Sequence, residues 1–440
     1  MNKKYDIHET PPAAATITLA LQHVFAMFGS TVLVPALTGL DPAIALLTSG
    51  IGTLLFHFFT KGKIPAYLGS SFAYIAGLAS MVGPDLYKNY VADPAQYGAL
   101  YHAAQSKAMG AALVVGIIYI LFYALIKVFG TKFINRFFPS VVVGPVVMII
   151  GLSLSGVAID MSKADVPTAV FTALVTIIVG VFAKGFLNVI PILTGIFAGY
   201  LFAIARGLVE VGAIFKGVAL FHPPALVIPS FELGAITLLA PLVIVTIIED
   251  LGHIFVIGNV TKKDMINDPG FDNVMLGNGT ATAVAAFLGG PPSTTYGENI
   301  GVLAVTKVFS SRVIQTAAVI AILLSFIGPV RAIVASIPTA VMGGVVTILF
   351  GMIAVAGIRA MIEAKTDLTS TRNLFIASLI LVFGIGIKEV PVAIGGFHLT
   401  LSGVGLGTLV GIILNAFLPN ERPEEASVTT LEANAVEETK

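Results

Sequence analysis

Cysteine is absent from the 440 residues, so neither a disulfide framework nor a thiolate metal site can be built. Tryptophan is absent too, which leaves tyrosine as the main aromatic anchor for a membrane–water interface. Charge is scarce: 11% of residues are Asp, Glu, Lys or Arg, against about 25% in ordinary soluble chains. The 24 basic and 24 acidic residues cancel, so nucleic acid is not an expected partner. The opening MNKKYDIHETPPAAA lacks the apolar core and cleavage pattern of a removed signal. The first span is therefore expected to act as its own insertion signal. No nucleophile elbow, phosphate loop or Cys/His metal cluster appears, and no enzyme is expected.

What the chain has in abundance is apolar surface. Hydrophobic residues make up 56% of it, and its mean hydropathy is +0.96. Segments 111–124 and 141–154 hold no charge at all. A bilayer core takes about 20 apolar residues per helix, and composition points to an all-α polytopic membrane protein. Spans are predicted near 16–36, 41–60, 64–82, 107–129, 139–159, 166–183, 187–206, 232–257, 274–290, 293–308, 312–335, 338–358, 373–387 and 401–418. With a cytoplasmic N-terminus and 14 spans, 17 basic residues fall in cytoplasmic segments and 7 on the other side. That is the bias expected of inward-facing loops, with both termini cytoplasmic. The acidic tail from Asn420 lacks a long apolar run and is expected to be disordered.

An internal repeat is visible. FPSVVVGPVVMIIGLSLSGVAI (138–159) aligns without a gap over IPTAVMGGVVTILFGMIAVAGI (337–358), matching Pro139 with Pro338 and Gly144 with Gly343. These are spans 5 and 12. Seven spans is an odd number, so the copies run in opposite directions, as in many secondary transporters. IPAYLGSSFAYIAG (64–77) and GGPPSTTYGENIGV (289–302) break the helical pattern, again seven spans apart. Interrupted hydrophobic segments in matching positions point to a midplane site. The alternative for 289–302 is a surface loop, which leaves 13 spans.

Most acids lie in loops and tails, but Glu249, Asp250 and Glu298 sit inside apolar stretches. An ionisable group at bilayer depth costs at least ~2.5 kcal/mol on insertion scales, which makes function the default reading. Glu249 and His253 are four apart and share a helical face. A carboxylate facing an imidazole can take up and release one proton per cycle. The pair can equally brace two helices, and as a metal site it supplies only two ligands. Asp250 is turned by about 100° and need not share the cavity. Glu298 follows Gly297, which permits close approach of a ligand to the backbone. Together the two glutamates can accept from the two N–H groups of a planar imide such as uracil. Backbone amides near Ser71, Phe72 and Gly297 would donate to its carbonyls, and Phe72 or Tyr296 would stack on the ring or simply pack. Gln22 and His23 read as a scaffold for the broken tenth span, and His57 as an interfacial residue.

At these residues the sequence resembles the nucleobase–ascorbate transporter (nucleobase:cation symporter 2) family, and within it the bacterial uracil branch. The matching strings are LQHVFAMFGSTVLVP (21–35), KGKIPAYLGSSFAYI (61–75), EDLGH (249–253), TKKDMINDPG (261–270), TTYGENIGVLAVTK (294–307) and IPTAVMGG (337–344). The family signature Asn-x-Gly-x-x-x-x-Thr is present as Asn299, Gly301 and Thr306, with Glu298 just before it. The resemblance implies two inverted seven-span repeats, with short antiparallel strands in broken spans 3 and 10. It implies an N-terminal tail over 1–15, a core domain from 16–130 and 231–336, a gate domain from 131–230 and 337–418, and a tail over 419–440. It implies a homodimer in the bacterial inner membrane that imports uracil with protons, needing no cofactor beyond the proton as coupling ion. Glu249, Glu298, Gly297 and Phe72 match uracil-contacting positions, His253 the position linked to proton coupling, and Asn299 a scaffold position. Two departures stand out. Phe350 replaces a Tyr, and Ser30 replaces a small apolar residue, with little effect expected of it. A purine or xanthine permease tends to carry Gln before the signature Asn. An anion transporter or channel on the same fold is disfavoured by two facing carboxylates. A membrane receptor or an intramembrane enzyme are the readings from other classes.

Overall fold

The computed structural model describes residues 5–130, 139–221, 223, 226–387, 389–394 and 397–419. The expected tail from Asn420 and the first four residues lie outside them. In chain order the helices and strands are α1 (Ala13–Thr38), α2 (Pro42–Phe59), β1 (Leu68–Ser70), α3 (Ile75–Met81), α4 (Pro84–Ala92), α5 (Pro94–Phe129), α6 (Ser140–Ser153), α7 (Ser155–Ser162), α8 (Val166–Phe182), α9 (Pro191–Ala205) and α10 (Val211–Ile214). There follow α11 (Leu233–Leu239), α12 (Val243–Thr261), α13 (Phe271–Leu288), β2 (Ser293–Thr295), α14 (Gly297–Thr306), α15 (Ser311–Ser325), α16 (Gly328–Ala335), α17 (Thr339–Glu363), α18 (Thr371–Gly386), β3 (Glu389–Ile394), β4 (Phe397–Ser402) and α19 (Gly403–Phe417).

Helix starts follow local chemistry. Asp41 accepts from Ala43 N ahead of α2, Asp93 from Gln96 N ahead of α5, and Asp165 from Thr168 N ahead of α8. Each is followed within two residues by proline, whose fixed φ suits the first helical turn. Among the described residues six helical segments are long and apolar enough to cross a bilayer: Ala13–Thr38, Pro42–Phe59, Pro94–Phe129, Ser140–Ser162, Leu233–Thr261 and Thr339–Glu363. Six shorter apolar helices accompany them. Large apolar side chains such as Phe58, Phe182 and Phe197 stand mostly exposed on the outer surface. Patches of that kind are out of place in water and at home against lipid.

The helices pack in two groups. In the first, α13 lies against α5 and α2, and α15 against α2 and α1. A Cβ on Gly116 would lie 2.8 Å from Gly279 O, so α5 and α13 meet through glycines. This is the small-residue packing that lets helices approach without a hydrophobic drive between them. In the second group, α17 packs on α6, α7 and α8, and α18 on α6 and α19. A hairpin, β3 with β4, follows α18, pairing Glu389 with Ser402 and Ile394 with Phe397. It was not expected from the sequence. Helix α5 is also longer than its predicted span: it begins at Pro94, and its first turns carry Gln96 and His102 ahead of the apolar stretch.

Candidate functional site

Two short strands organise the site. β1 and β2 run antiparallel, with Leu68 opposite Thr295, Gly69 opposite Thr294 and Ser70 opposite Ser293. The ladder continues on both sides, Ser71 N donating to Pro292 O at 2.9 Å and Tyr296 N to Tyr67 O at 2.9 Å. Pro65 precedes one strand and Pro291–Pro292 the other, so helix cannot run into either from its N-terminal side. All six strand residues are buried, and backbone groups that point out of the pair are met by side chains: Leu68 N by Thr53 Oγ1, Ser293 N by Thr282 Oγ1 and Thr295 N by Asp250 Oδ1. Helical structure begins directly after each strand, at Phe72 and at Gly297. First-turn amides have no intrahelical acceptor and carry the positive end of the helix dipole. Two sets of such donors therefore open beside the strand pair.

Tyr296 holds this arrangement from within. Its side chain is 2% exposed, its hydroxyl donates to Ser70 O at 3.1 Å, and Thr31 Oγ1 donates to that hydroxyl at 3.3 Å. Its ring fills the space a Cβ on Gly69 would need. Tyr296 thus lies under the strands as a brace rather than in the opening. Ser71 is fully buried, and among the described residues its Oγ has no hydrogen-bond partner. Phe72, next along, is half-buried.

Helix α12 supplies the opposite wall. Glu249 and His253 are half-buried, and Gly297 is exposed beside them. Glu298, also half-buried, lies near enough to Glu249 for the two carboxyl groups to interact electrostatically. Ser30 Oγ of α1 donates to Glu298 Oε1 at 2.5 Å. Ser30 was expected to have little effect; instead its hydroxyl engages one oxygen of a candidate ligand carboxylate. Among the described residues no hydrogen bond joins Glu249 to His253. The imidazole turns to β2, His253 Nδ1 lying 2.9 Å from Thr295 Oγ1.

Asp250 faces away from the opening and is fully buried. Its Oδ2 accepts from Tyr119 Oη at 3.1 Å and Asn278 Nδ2 at 2.5 Å. Its Oδ1 accepts from Thr294 Oγ1 at 3.1 Å, Thr295 N at 3.1 Å and Thr295 Oγ1 at 2.8 Å. One carboxylate thereby pins β2 to α12, α5 and α13, its charge met by five donors in place of water. The clue in the sequence was the pairing of a second acid with the donor-rich Ser-Thr-Thr of the broken segment.

The expected scaffold residues sit behind the site. Asn299 Nδ2 lies 3.1 Å from His23 Nδ1 and donates to His23 O at 3.1 Å, tying α14 to α1. Gln22 Oε1 is buried without a hydrogen-bond partner among the described residues. His57, expected at an interface, is 3% exposed. Its Nε2 contacts Ala66 O at 2.9 Å and its Nδ1 the Gln315 amide at 3.2 Å, so it locks α2 to the approach of β1 and to α15. Phe350 is buried within α17. No group of three metal-ligating side chains occurs among the described residues.

Comparison with known proteins adds three findings. Residues 14–393 match the model of the Permease family. The chain is 44% identical to the uracil permease of Bacillus caldolyticus over 97% of both chains. It is 42% identical to that of Bacillus subtilis (strain 168) over 96% of this chain and 97% of the relative. Among solved structures it is similar to SLC26A9, with a TM-score of 0.61 at 12% identity, covering 92% of this chain and 64% of that one. At that identity the likeness shows the fold alone. The relatives are named permeases, which are transporters and not enzymes. With its long apolar helices the chain is an integral protein of the bacterial membrane. The two half-helices meeting at paired strands, the acids facing them and the match over most of the chain place it in the Permease family, the nucleobase:cation symporter 2 transporters.

Proposed function

We propose that this protein imports uracil across the cytoplasmic membrane together with protons, by alternating access. The observation that carries the reading is the juxtaposition beside β1 and β2: Glu249 and Glu298 lie close enough to interact, and helical structure begins at Phe72 and at Gly297. Uracil presents two N–H donors and two carbonyl acceptors in one plane, the complement of two carboxylates and two sets of backbone donors. Half-buried Phe72 would lie on the ring face. The full-length similarity to uracil permeases supports the same substrate. Glu298 rather than Gln ahead of Asn299 favours uracil over a purine. Coupling would run through His253 and Glu249, with the proton as the sole accessory species.

The reading includes 14 spans in two inverted repeats. The packing of α13 on α5 has its repeat counterpart in α15 on α2, and α17 on α8 in α18 on α6. Such paired contacts support a core domain of 16–130 and 231–336 moving against a gate domain of 131–230 and 337–418. Both termini are assigned to the cytoplasm, and the working unit to a homodimer.

Radiolabelled uracil uptake into vesicles, with and without a proton ionophore, tests the proposal. Concentrative uptake abolished by the ionophore is expected. Xanthine outcompeting uracil would overturn the substrate, and ionophore-insensitive accumulation would overturn the coupling.

A further inference from the structure

A single hydroxyl links the buried acid of α12 to the imidazole at the opening. Thr295 Oγ1 lies 2.8 Å from Asp250 Oδ1 and 2.9 Å from His253 Nδ1, and Thr295 is 1% exposed. We propose that Thr295 is a positioning residue that fixes His253 in the tautomer with its proton on Nδ1, leaving the Nε2 lone pair facing the opening. The proposal rests on the reading of that opening as a uracil–proton site.

The direction of the hydrogen bonds follows from counting protons. Asp250 Oδ1 receives three donors, one of them the backbone N–H of Thr295, which can only donate. It therefore acts as an acceptor. The hydroxyl of Thr295 has one hydrogen, and that hydrogen goes to Oδ1; otherwise two proton-free oxygens would face each other at 2.8 Å with the residue buried. With its hydrogen committed, Thr295 Oγ1 can only accept from His253. His253 Nδ1 must then carry a proton, and the neutral ring has its lone pair on Nε2. A bond from one ring nitrogen decides what the other can do, as when a carboxylate holds one nitrogen of a metal-bound histidine.

The free nitrogen lies beside the start of α14. A Cβ built on Gly297 would come 3.2 Å from His253 Nε2, tighter than ordinary contact, so glycine leaves that lone pair accessible at the start of α14. Nε2 is thus prepared to accept, either from an N–H of the substrate or from the coupling proton. When it does, the imidazolium is joined through one hydroxyl to the Asp250 carboxylate. The same Asp250 that pins β2 thereby sets the chemistry of His253 without touching the substrate.

The full chain, labelled with 15N-histidine and placed in lipid nanodiscs, reports this directly by NMR. The His253 signals are those lost in His253→Gln. Wild type and Thr295→Ser are expected to show a protonated Nδ1 and a bare Nε2, and Thr295→Val to reverse them. In vesicles Thr295→Val is expected to lose tenfold or more of proton-driven uracil uptake, and Thr295→Ser to stay near wild type. A wild-type spectrum with the proton on Nε2 overturns the proposal, even if the valine variant does not fold. So does a valine variant with unchanged tautomer or unchanged uptake. If the wild type shows the Nδ1 proton but moves no uracil, the functional reading fails and the tautomer assignment stands.

Discussion

Replacing Asp250 separates its structural work from its neighbour's role at the opening. In Asp250→Ala five donors lose their acceptor. The hydroxyls of Tyr119, Thr294 and Thr295 can rotate toward other acceptors, whereas Thr295 N and Asn278 Nδ2 cannot. Each buried orphan donor costs about 1–3 kcal/mol, so the two together destabilise the strand pair by about 2–6 kcal/mol. Asp250→Asn behaves differently. Its carbonyl can take the place of Oδ1 and keep three donors, while its amide faces Tyr119 and Asn278. The tyrosine hydroxyl can accept, and Asn278 can turn over to present its Oδ1, which has no hydrogen-bond partner among the described residues. One unmet acceptor is then exchanged for one unmet donor, a change of roughly 1 kcal/mol. Hydrogen exchange read by mass spectrometry over 293–296 measures the local effect without requiring reversible melting. Exchange there is expected to quicken by ~30-fold or more in the alanine variant, the equivalent of about 2 kcal/mol, and far less in the asparagine variant. An alanine variant with native protection would refute the clamp, and equal damage in both variants would refute the role assigned to Asn278.

The remaining predictions concern the opening and the helix ends. Glu298→Gln places a donor where Ser30 Oγ and a substrate N–H both need an acceptor, and uracil affinity should fall by about 10–100-fold, the range set by a charged hydrogen bond of about 1.5–3 kcal/mol; unchanged binding in titration calorimetry removes Glu298 from the site. Ser30→Ala should weaken uracil binding by a few-fold, about 0.5–1.5 kcal/mol, with maximal flux preserved, whereas an unaltered KM would mean the hydroxyl is idle. His253→Ala should uncouple uptake from the proton gradient more than it weakens uracil binding, and a normal response to an imposed pH step counts against that. Lys262 holds φ +59° at the end of α12, so Lys262→Gly should stabilise the chain by roughly 0.5–1 kcal/mol. Lys262→Ala should give no such gain, and matching melting temperatures for the two would show the backbone is unstrained.

Much of this site was legible in the sequence, for definite physical reasons. Pro, Gly, Ser and Thr in 64–77 and 289–302 cannot continue an apolar helix, and both segments hold the strands. Acids in apolar runs are rare enough that Glu249, Asp250 and Glu298 drew attention on energetic grounds alone. What periodicity could not supply was partner choice between distant segments. Glu249 and His253 share a helical face, yet the imidazole bonds to Thr295, some forty residues later. Ser30 looked incidental because its partner, Glu298, lies 268 positions away. Tyr296 had the chemistry of a stacking ring, but the missing side chain at Gly69 draws it beneath the strands. The β3–β4 hairpin was missed because its apolar strands border a span and share its composition.

Because Tyr67 O and Ser71 N are met by Tyr296 N and Pro292 O, the ribosome must have made two thirds of the polypeptide before the first broken segment can close its cross-strand bonds. Until then the cross-strand groups of that segment lack their partners, and unpaired backbone is costly in a bilayer. The site of a nascent permease is thus complete only once its second broken segment has been made.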